Sequence, residues 1–415
     1  MMTMETWKKN LAVLWIAQFL VMGAMNQIMP FLPLMLTKEL GLSADTNVHL
    51  WTGLIFGINF LPALIFSPIW GNLADKYGRK MMILRSGFGM ALTNGLMGFV
   101  QTPTEMLMLR FLNGMISGFI PASIALVSTN TPREKTGFSL GVLQSGGVAG
   151  TILGPALGGL LADAIGYRAI FWVTGGALFL STLLVLFFVK EENKPVPKEM
   201  KGEGWRKDLA HIVSTRPLPA LFATGMLVQF SLIALMPILA HYTESLIHST
   251  TRVAFFAGLV MAATGVANMI ASPFLGRLGD RIGSQKVLYI SLIFAGIIMF
   301  FHAWTKELWQ LILVRFLFGL SVGGLMPAVN ALIRASSPEG MVSRTYGYAN
   351  SATFLGNMIG PIVGGLISGW WGMSSVFIFS ALVLFLNALL VHSKVMPELE
   401  KKAPGNQTVE ANMRV

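Results

Sequence analysis

Two arginines, Arg110 and Arg315, stand inside long apolar stretches, 205 residues apart. A guanidinium in hydrocarbon is costly and is retained where it has a function. It keeps its proton at ordinary pH, so it can bind an anion or bias a nearby acid. Bonding backbone carbonyls is the plainer use. Acids near such stretches are few, and none lies at the centre of one. Asp163 closes one apolar run, Glu39 follows another, and Glu244 follows a third, three residues after His241. Residues three apart share a helical face, and imidazole titrates near neutrality. Arg110, Asp163, His241 and Glu244 are therefore the candidates for handling protons. Asp163 has a plainer partner in Arg168, and His241 and Glu244 have a plainer place on a wet rim.

A second set of charges lies between apolar runs. Gly71-Asn72-Leu73-Ala74-Asp75-Lys76-Tyr77-Gly78-Arg79-Lys80 returns in weaker form as Gly276-Arg277-Leu278-Gly279-Asp280-Arg281-Ile282-Gly283-Ser284-Gln285. The step is again 205 residues, and Glu134 and Glu339 keep it too. Lys76, Arg79 and Lys80 can pair with Glu134, while Asp280, Arg281 and Glu339 offer the same in the second copy. Asp75 at a span end can face a helix N-terminus, where the dipole favours a carboxylate. Ion pairs of this kind would latch neighbouring loops. The plainer reading is a set of loop charges that orient the chain in a membrane. Repeats of this length make the chain two homologous halves.

The elements that must position these residues follow from composition. Of 415 residues, 54% are hydrophobic and 12% charged, about half the charge of a typical soluble domain, roughly 25%. Twelve spans are expected: 11–36, 49–72, 80–101, 104–128, 137–163, 168–190, 217–243, 253–276, 286–304, 307–333, 343–369 and 373–393. Each is long enough to cross roughly 30 Å of hydrocarbon as a helix. The fold class is an all-α integral membrane protein. Residues 1–190 form the first bundle, 191–216 a linker, 217–393 the second bundle and 394–415 a polar tail. Trp205 to Val213 can form an interfacial helix within the linker.

The net charge of +11 does not point to nucleic acid, because the basic residues sit in short gaps rather than in an aromatic-interleaved patch. With both termini inside, only Lys38, Arg168, Arg252 and Lys306 fall on the outer side. That asymmetry predicts cytoplasmic termini. The first apolar run is too long for a cleaved signal peptide. There is no cysteine, which excludes thiolate metal sites and thiol nucleophiles. No nucleotide loop or nucleophile–base set is present, so neither an enzyme nor an ATP-driven pump is expected.

Two further patterns concern passage through the membrane. Gly146, Gly150, Gly154-Pro155 and Gly158-Gly159 make a small-residue stripe, suited to close helix packing. It returns around Gly360-Pro361. Polar amides fall within the apolar runs: Gln18, Asn26, Gln27, Asn59, Asn113, Gln144, Gln229, Asn268, Asn330, Asn350 and Asn357. They either line a central cavity or bond helix to helix. Asn26 and Gln27 lie at the depth of Arg110 and are its expected neighbours.

The Gly-x-Leu-Ala-Asp-x-x-Gly-Arg-Lys pattern, the twelve spans and the duplicated half resemble the major facilitator superfamily, and the likeness covers essentially the whole chain. The stripe in span 5 is similar to that family's antiporter motif, and the chain most resembles its twelve-span drug:proton antiporter branch. The resemblance implies two six-helix bundles with a substrate site between them, alternating access, and exchange of a small hydrophobic molecule for protons. The energy source would be a proton gradient with no cofactor. It implies a monomer in a bacterial cell membrane, with no nucleic-acid partner. It assigns Arg110 a proton-transfer role, and Gly150, Gly154, Pro155, Gly158 and Gly159 the antiporter motif. Departures are Ser284-Gln285 where the first copy has Arg79-Lys80, and Gln18, Asn26 and Gln27 where many such exporters carry an acid in span 1. A dedicated exporter or flippase of a sugar or glycolipid, and a non-transporting sensor, are the alternatives.

Overall fold

The computed structural model describes residues 4–42, 46–132, 136–191, 205–247, 252–338 and 341–401. Apolar sequence in a bilayer must satisfy its backbone internally, and helices do this within one segment. The first half comprises α1 (Met4–Gln27) and α2 (Leu32–Lys38), α3 (Thr46–Ile58) and α4 (Phe60–Tyr77), α5 (Arg79–Met97), α6 (Pro103–Ile116) and α7 (Phe119–Asn130), α8 (Thr136–Ile165) and α9 (Tyr167–Phe188). A short α10 (Trp205–Ser214) precedes the second half. There follow α11 (Leu218–Ile233) and α12 (Met236–Ile247), α13 (Val253–Ile282), α14 (Ser284–His302), α15 (Leu308–Val322) and α16 (Leu325–Ser336), α17 (Val342–Trp371) and α18 (Met373–Leu390). A π-helical turn, Val391–Val395, carries α18 into α19 (Met396–Lys401).

Among the described residues, ten helical stretches are long and apolar enough to cross a membrane, and α1 with α2, bent by 41°, makes another. α5 completes the twelve spans. It has 19 residues, and Arg79, Lys80 and Arg85 lower its hydropathy. The fold is thus the expected all-α bundle of twelve spans. Helix does extend beyond residue 393, where a polar tail was expected. Val395 is fully buried in the second half's core, and Met396 and Leu399 pack against it. An apolar face on an otherwise polar segment continues the helix.

Several spans are broken, and the breaks follow the repeat. They fall between α1 and α2, α6 and α7, α11 and α12, and α15 and α16, the first and fourth spans of each half. Gly118, with φ of 144°, makes the α6–α7 break, and Gly323 ends α15 one repeat later. A smaller interruption at Asn59 separates α3 from α4.

The core has three parts. One draws only on the first half, with Leu14, Ile83, Leu126 and Leu178 at its centre. Another draws on the second half and on Ile212 of α10, around Leu235, Leu292, Phe318 and Phe377. The third joins Ile28, Phe31, Ile55 and Phe171 of the first half to Ala240, Val253, Ala254 and Ala257 of the second. It lies at the end of the bundle away from the termini, so the halves are fused there.

Candidate functional site

The halves meet along two seams that the repeat relates to each other. In one, α8 lies against α13: a Cβ on Gly159 would collide with the Ala254 carbonyl, and one on Gly258 with the Pro155 carbonyl. In the other, α17 lies against α3: a Cβ on Gly365 would collide with the His49 carbonyl, and one on Gly53 with the Pro361 carbonyl. Phe60 and Phe354 stack across the second seam with ring centroids 6.3 Å apart. Toward the terminal side each half has its own core, and no core among the described residues joins them. A Cβ on Gly141 of α8, Gly276 of α13 or Gly347 of α17 would meet nothing within 4 Å. The molecule is closed at the end away from its termini and spread at the other.

The glycine stripe has two faces. Gly150, Gly154 and Gly158 turn to α1: Cβ atoms there would strike the carbonyls of Phe19, Gly23 and Gln27. Gly159 turns to the seam. In the second half Gly356, Gly360 and Gly364 press on Met226 and Phe230 of α11 and on Ala234 at its end, and Gly365 turns to its seam. Backbone contact this close needs residues without a Cβ. The motif therefore presses α8 and α17 on the first span of each half and also forms the seams between the halves. Pro155 and Pro361 lie inside α8 and α17, at those seams.

Polar contacts fasten the closed end. Asp163 Oδ2 accepts the Phe255 N–H at 3.0 Å, so a carboxylate from the first half caps the first turn of α13 in the second. Arg168 does not pair with Asp163. Its Nε lies 2.8 Å from Glu39 Oε2, and its Nη1 donates to the Val100 carbonyl at 2.6 Å. Glu39 follows α2 directly, within reach of Arg168 at the start of α9, while Asp163 is turned to α13. Lys38 Nζ reaches Glu244 Oε1 across the halves at 3.5 Å. His241 and Glu244 therefore separate in role: Glu244 is on the partly wet rim, and both ring nitrogens of His241 are buried without a partner. The His241 ring meets His49 edge to face, centroids 5.3 Å apart. His49 was not among the expected residues. A histidine at the head of an apolar run reads as an interfacial residue, and only its partner across the seam gives it significance.

Arg110 and Arg315 are each 3% exposed. In both, Nε and Nη2 have no hydrogen-bond partner, and no ion pair to either occurs among the described residues. One turn on, Gly114 and Gly319 press α6 on the Asn59 carbonyl and α15 on the Thr264 carbonyl. The expected neighbours of Arg110 are engaged elsewhere: Asn26 Nδ2 donates to the Met22 carbonyl at 2.8 Å, and Gln27 Nε2 to Thr174 Oγ1 at 2.5 Å. The break at Gly118 explains this, since α1 packs on α7 beyond the break while α6 leans on α3, α4 and α5.

The amides divide. Asn113 is fully buried; its Oδ1 accepts from Thr93 Oγ1 at 2.9 Å and Asn94 Nδ2 at 3.0 Å, and its Nδ2 donates to Asn59 Oδ1 at 3.0 Å. This hub ties the α3–α4 junction to α5 and α6, so Asn59 and Asn113 bond helix to helix. Gln18 is buried, its Oε1 unpartnered, and so is Asn357 Oδ1. Gln144, Asn330 and Asn350 are exposed, and Gln229 and Asn268 half-buried.

At the first charged turn, Gly78 has φ of 92° and links α4 directly to α5. The N–H groups of Arg79 and Lys80 donate to Glu191 Oε1 at 2.8 Å and Oε2 at 2.7 Å. Lys80 Nζ donates to the Leu186 carbonyl at 2.9 Å, and Arg79 Nη1 to Thr129 Oγ1 at 3.0 Å. Glu191 is thus an acid of this turn that the sequence reading placed in the linker. Glu134 and Glu339 lie outside the described residues. Gly71, Asp75 and Lys76 fall within α4, and Asp280 and Arg281 within the last turns of α13; the side chains of Asp75, Lys76 and Asp280 lie outside the described part. Arg281 is exposed.

Twelve spans in two repeated halves, pressed together at one end and parted at the other, define a membrane transporter rather than an enzyme. The chain belongs to the Major Facilitator Superfamily, whose family model matches residues 14–263 and 221–413. It is 40% identical over 383 residues to the multidrug resistance protein MdtG of Enterobacter lignolyticus, covering 92% of this chain and 91% of that one. The MdtG protein of Salmonella typhimurium is also 40% identical, with 92% and 94% covered. Among solved structures, a bacterial homolog of the human lysosomal transporter Spinster has the same fold, with a TM-score of 0.78 at 13% identity, covering 94% of this chain and 97% of that one. The nucleoside transporter NupG has a TM-score of 0.76 at 14% identity, with 94% and 99% covered.

Proposed function

We propose that this protein is a secondary exporter that carries hydrophobic, drug-like compounds across a bacterial cell membrane in exchange for protons, by alternating access. The observation that carries the reading is the pair of glycine-lined seams, closed at one end and parted at the other, in a chain 40% identical to proteins named for multidrug resistance. With the termini cytoplasmic, as the lysine and arginine bias implies, this form is open to the cell interior. Substrate enters from that side, the terminal ends close as the far ends part, and a proton taken up outside resets the cycle. Arg110 takes part in the coupling, with the proton gradient as the only energy source and a monomer as the working unit. The exposed amides Gln144, Asn330 and Asn350 favour, as a second reading, a dedicated exporter of a sugar or glycolipid.

The test is proton movement in reconstituted vesicles under an imposed pH gradient, on addition of lipophilic cations, neutral drugs, sugars and glycolipids. Proton release by several unrelated drugs is the expected result. Silence with drugs and coupling to one sugar or lipid replaces the reading with the second.

A further inference from the structure

The seam of α17 against α3 differs from its repeat mate in a buried histidine. Where one seam places Ala254 under Gly159, the other places His49 under Gly365, and His49 in turn meets His241. We propose that His49 and His241 form a proton-binding catch in the seam: neutral, they allow the far ends of the halves to close; protonated, they part them. This rests on the alternating-access reading above and adds a pH sensor to it: a proton held here leaves before the far ends reclose, so it is not the proton that resets the cycle.

The geometry supports it from several directions. His49 is 8% exposed, and its Nδ1 lies 3.4 Å from the Pro237 carbonyl, which calls for the proton on Nδ1. The His241 ring has no acceptor at either nitrogen, so a second proton there would have nothing to bond. Among the described residues, the charged groups at this end offer a cation little; Asp45, four residues before His49, lies outside them. On α2, Lys38 is a positive neighbour of His241, and its ammonium already holds Glu244 of α12. On α8, Asp163 is committed to the Phe255 N–H. Near α9, Arg168 and Glu39 hold each other beside Tyr167. Residues 345–371 of α17, packed on the other side, contain no charged residue. A proton on His241 therefore places a cation near a second imidazole and a lysine, away from water, and one on His49 places it against the His241 ring. Parting the seam wets the rings and solvates that charge. A proton bound better by the parted state shifts the population toward it. Acid parts the seam, and alkali closes it.

The chain lacks cysteine, so engineered cysteines can be spin-labelled without background. Gln101→Cys with Lys306→Cys, both exposed and on opposite halves at the far end, reports the seam. Lys9→Cys with Ser214→Cys reports the terminal side. Electron-spin distance distributions on the full chain in lipid nanodiscs are compared at about pH 8 and about pH 5, either side of the ordinary imidazole range. Acid should raise the long-distance population at 101–306 by about fivefold, the lower end of typical coupling between linked equilibria, and shorten 9–214. His49→Gln with His241→Gln should abolish that response. Should the double variant not fold, His241→Gln alone carries the comparison, because it removes the ring with no partner.

A variant that responds to acid as the parent does overturns the proposal, and so does a parent indifferent to pH. If a lipophilic cation such as tetraphenylphosphonium moves the distances where pH does not, the catch falls and alternating access stands. If neither moves them, both fall. A response abolished by the variant in a protein that moves no protons with drug upholds the catch and defeats the antiport reading.

Discussion

The two turns that join α4 to α5 and α13 to α14 share one backbone and differ in what holds them. Gly78 has φ of 92° and ψ of 154°; Gly283, one repeat later, has 97° and 129°. At the first turn α9 stops at Phe188 and the chain is caught by Asn10. Asn10 Nδ2 donates to the Lys190 carbonyl at 2.7 Å, and its Oδ1 accepts the Lys190 N–H at 3.0 Å. That brings Glu191 over the start of α5, where two free N–H groups and the helix dipole meet its carboxylate. At the second turn α18 does not stop. It runs through the π-helical turn into α19, so residues 395–397 are Val, Met and Pro in a helix, with Val395 in the core. The next acid, Glu398, is drawn to Arg216 at 3.7 Å. A repeated backbone does not repeat its electrostatics: whether the turn is clamped depends on where the last helix of each half ends.

The largest expected effect that breaks this comparison is Gly78→Ala. The backbone there is close to glycine-only, a strain of about 1–3 kcal/mol for any other residue. A Cβ would also lie 2.9 Å from Glu191 Oε2, which is held in place by two donors. Gly283→Ala carries the same strain, but its Cβ would meet the amide end of Gln285 at 2.9 Å, which can swing away. The apparent melting temperature of the detergent-solubilised protein should fall further for Gly78→Ala. Equal falls would mean that Glu191 does not constrain the first turn.

Glu191→Ala comes next. Losing a carboxylate cap at a helix N-terminus costs about 1–2 kcal/mol, and the melting temperature should drop accordingly. In that background the cost of Gly78→Ala should shrink to that of Gly283→Ala, because the clash is gone. Such non-additivity is the signature of contact between two positions; strict additivity would show that the glycine and the carboxylate act independently.

These particulars show how far the sequence could be read. The spans are visible because uninterrupted apolar runs of about 20 residues have few other uses, and the glycine stripes because only backbone contact demands them. Contacts set by distant chain segments are less legible. Glu191 reads as the first residue of a Lys-, Glu- and Pro-rich linker, and nothing nearby says that Asn10 will pin it to α5. Arg168 and Asp163 are close in sequence and invite pairing, yet Glu39 and the start of α13 claim them. The break at Gly118 is hidden because glycine is common in bilayer helices, and Asn26 and Gln27 bond to Met22 and Thr174 rather than to Arg110. His49 is one of six histidines until its repeat mate, Ala254, is set beside it. The repeat carries the signal: aligned copies mark both the missing arginine–lysine pair at 284–285 and the histidine in one seam.

The smallest expected effect tests the comparison from the other side. Ser284→Arg with Gln285→Lys writes the first copy's residues into the second. At the first turn these positive charges sit at a helix N-terminus, where the dipole opposes them, and Glu191 offsets that. At the second turn no carboxylate among the described residues reaches the first turn of α14, since α19 keeps Met396 in a helix and Glu398 faces Arg216. The double substitution should therefore leave stability within about 0.5 kcal/mol of the parent, or lower it by up to about 1 kcal/mol through the dipole. It should not raise the melting temperature. A rise would mean that an acid outside the described residues, with Glu339 first in line by its place in the repeat, reaches the second turn and waits for the charges the chain lacks there. The asymmetry of the halves would then lie in two side chains at 284 and 285, and not in the point at which α18 ends.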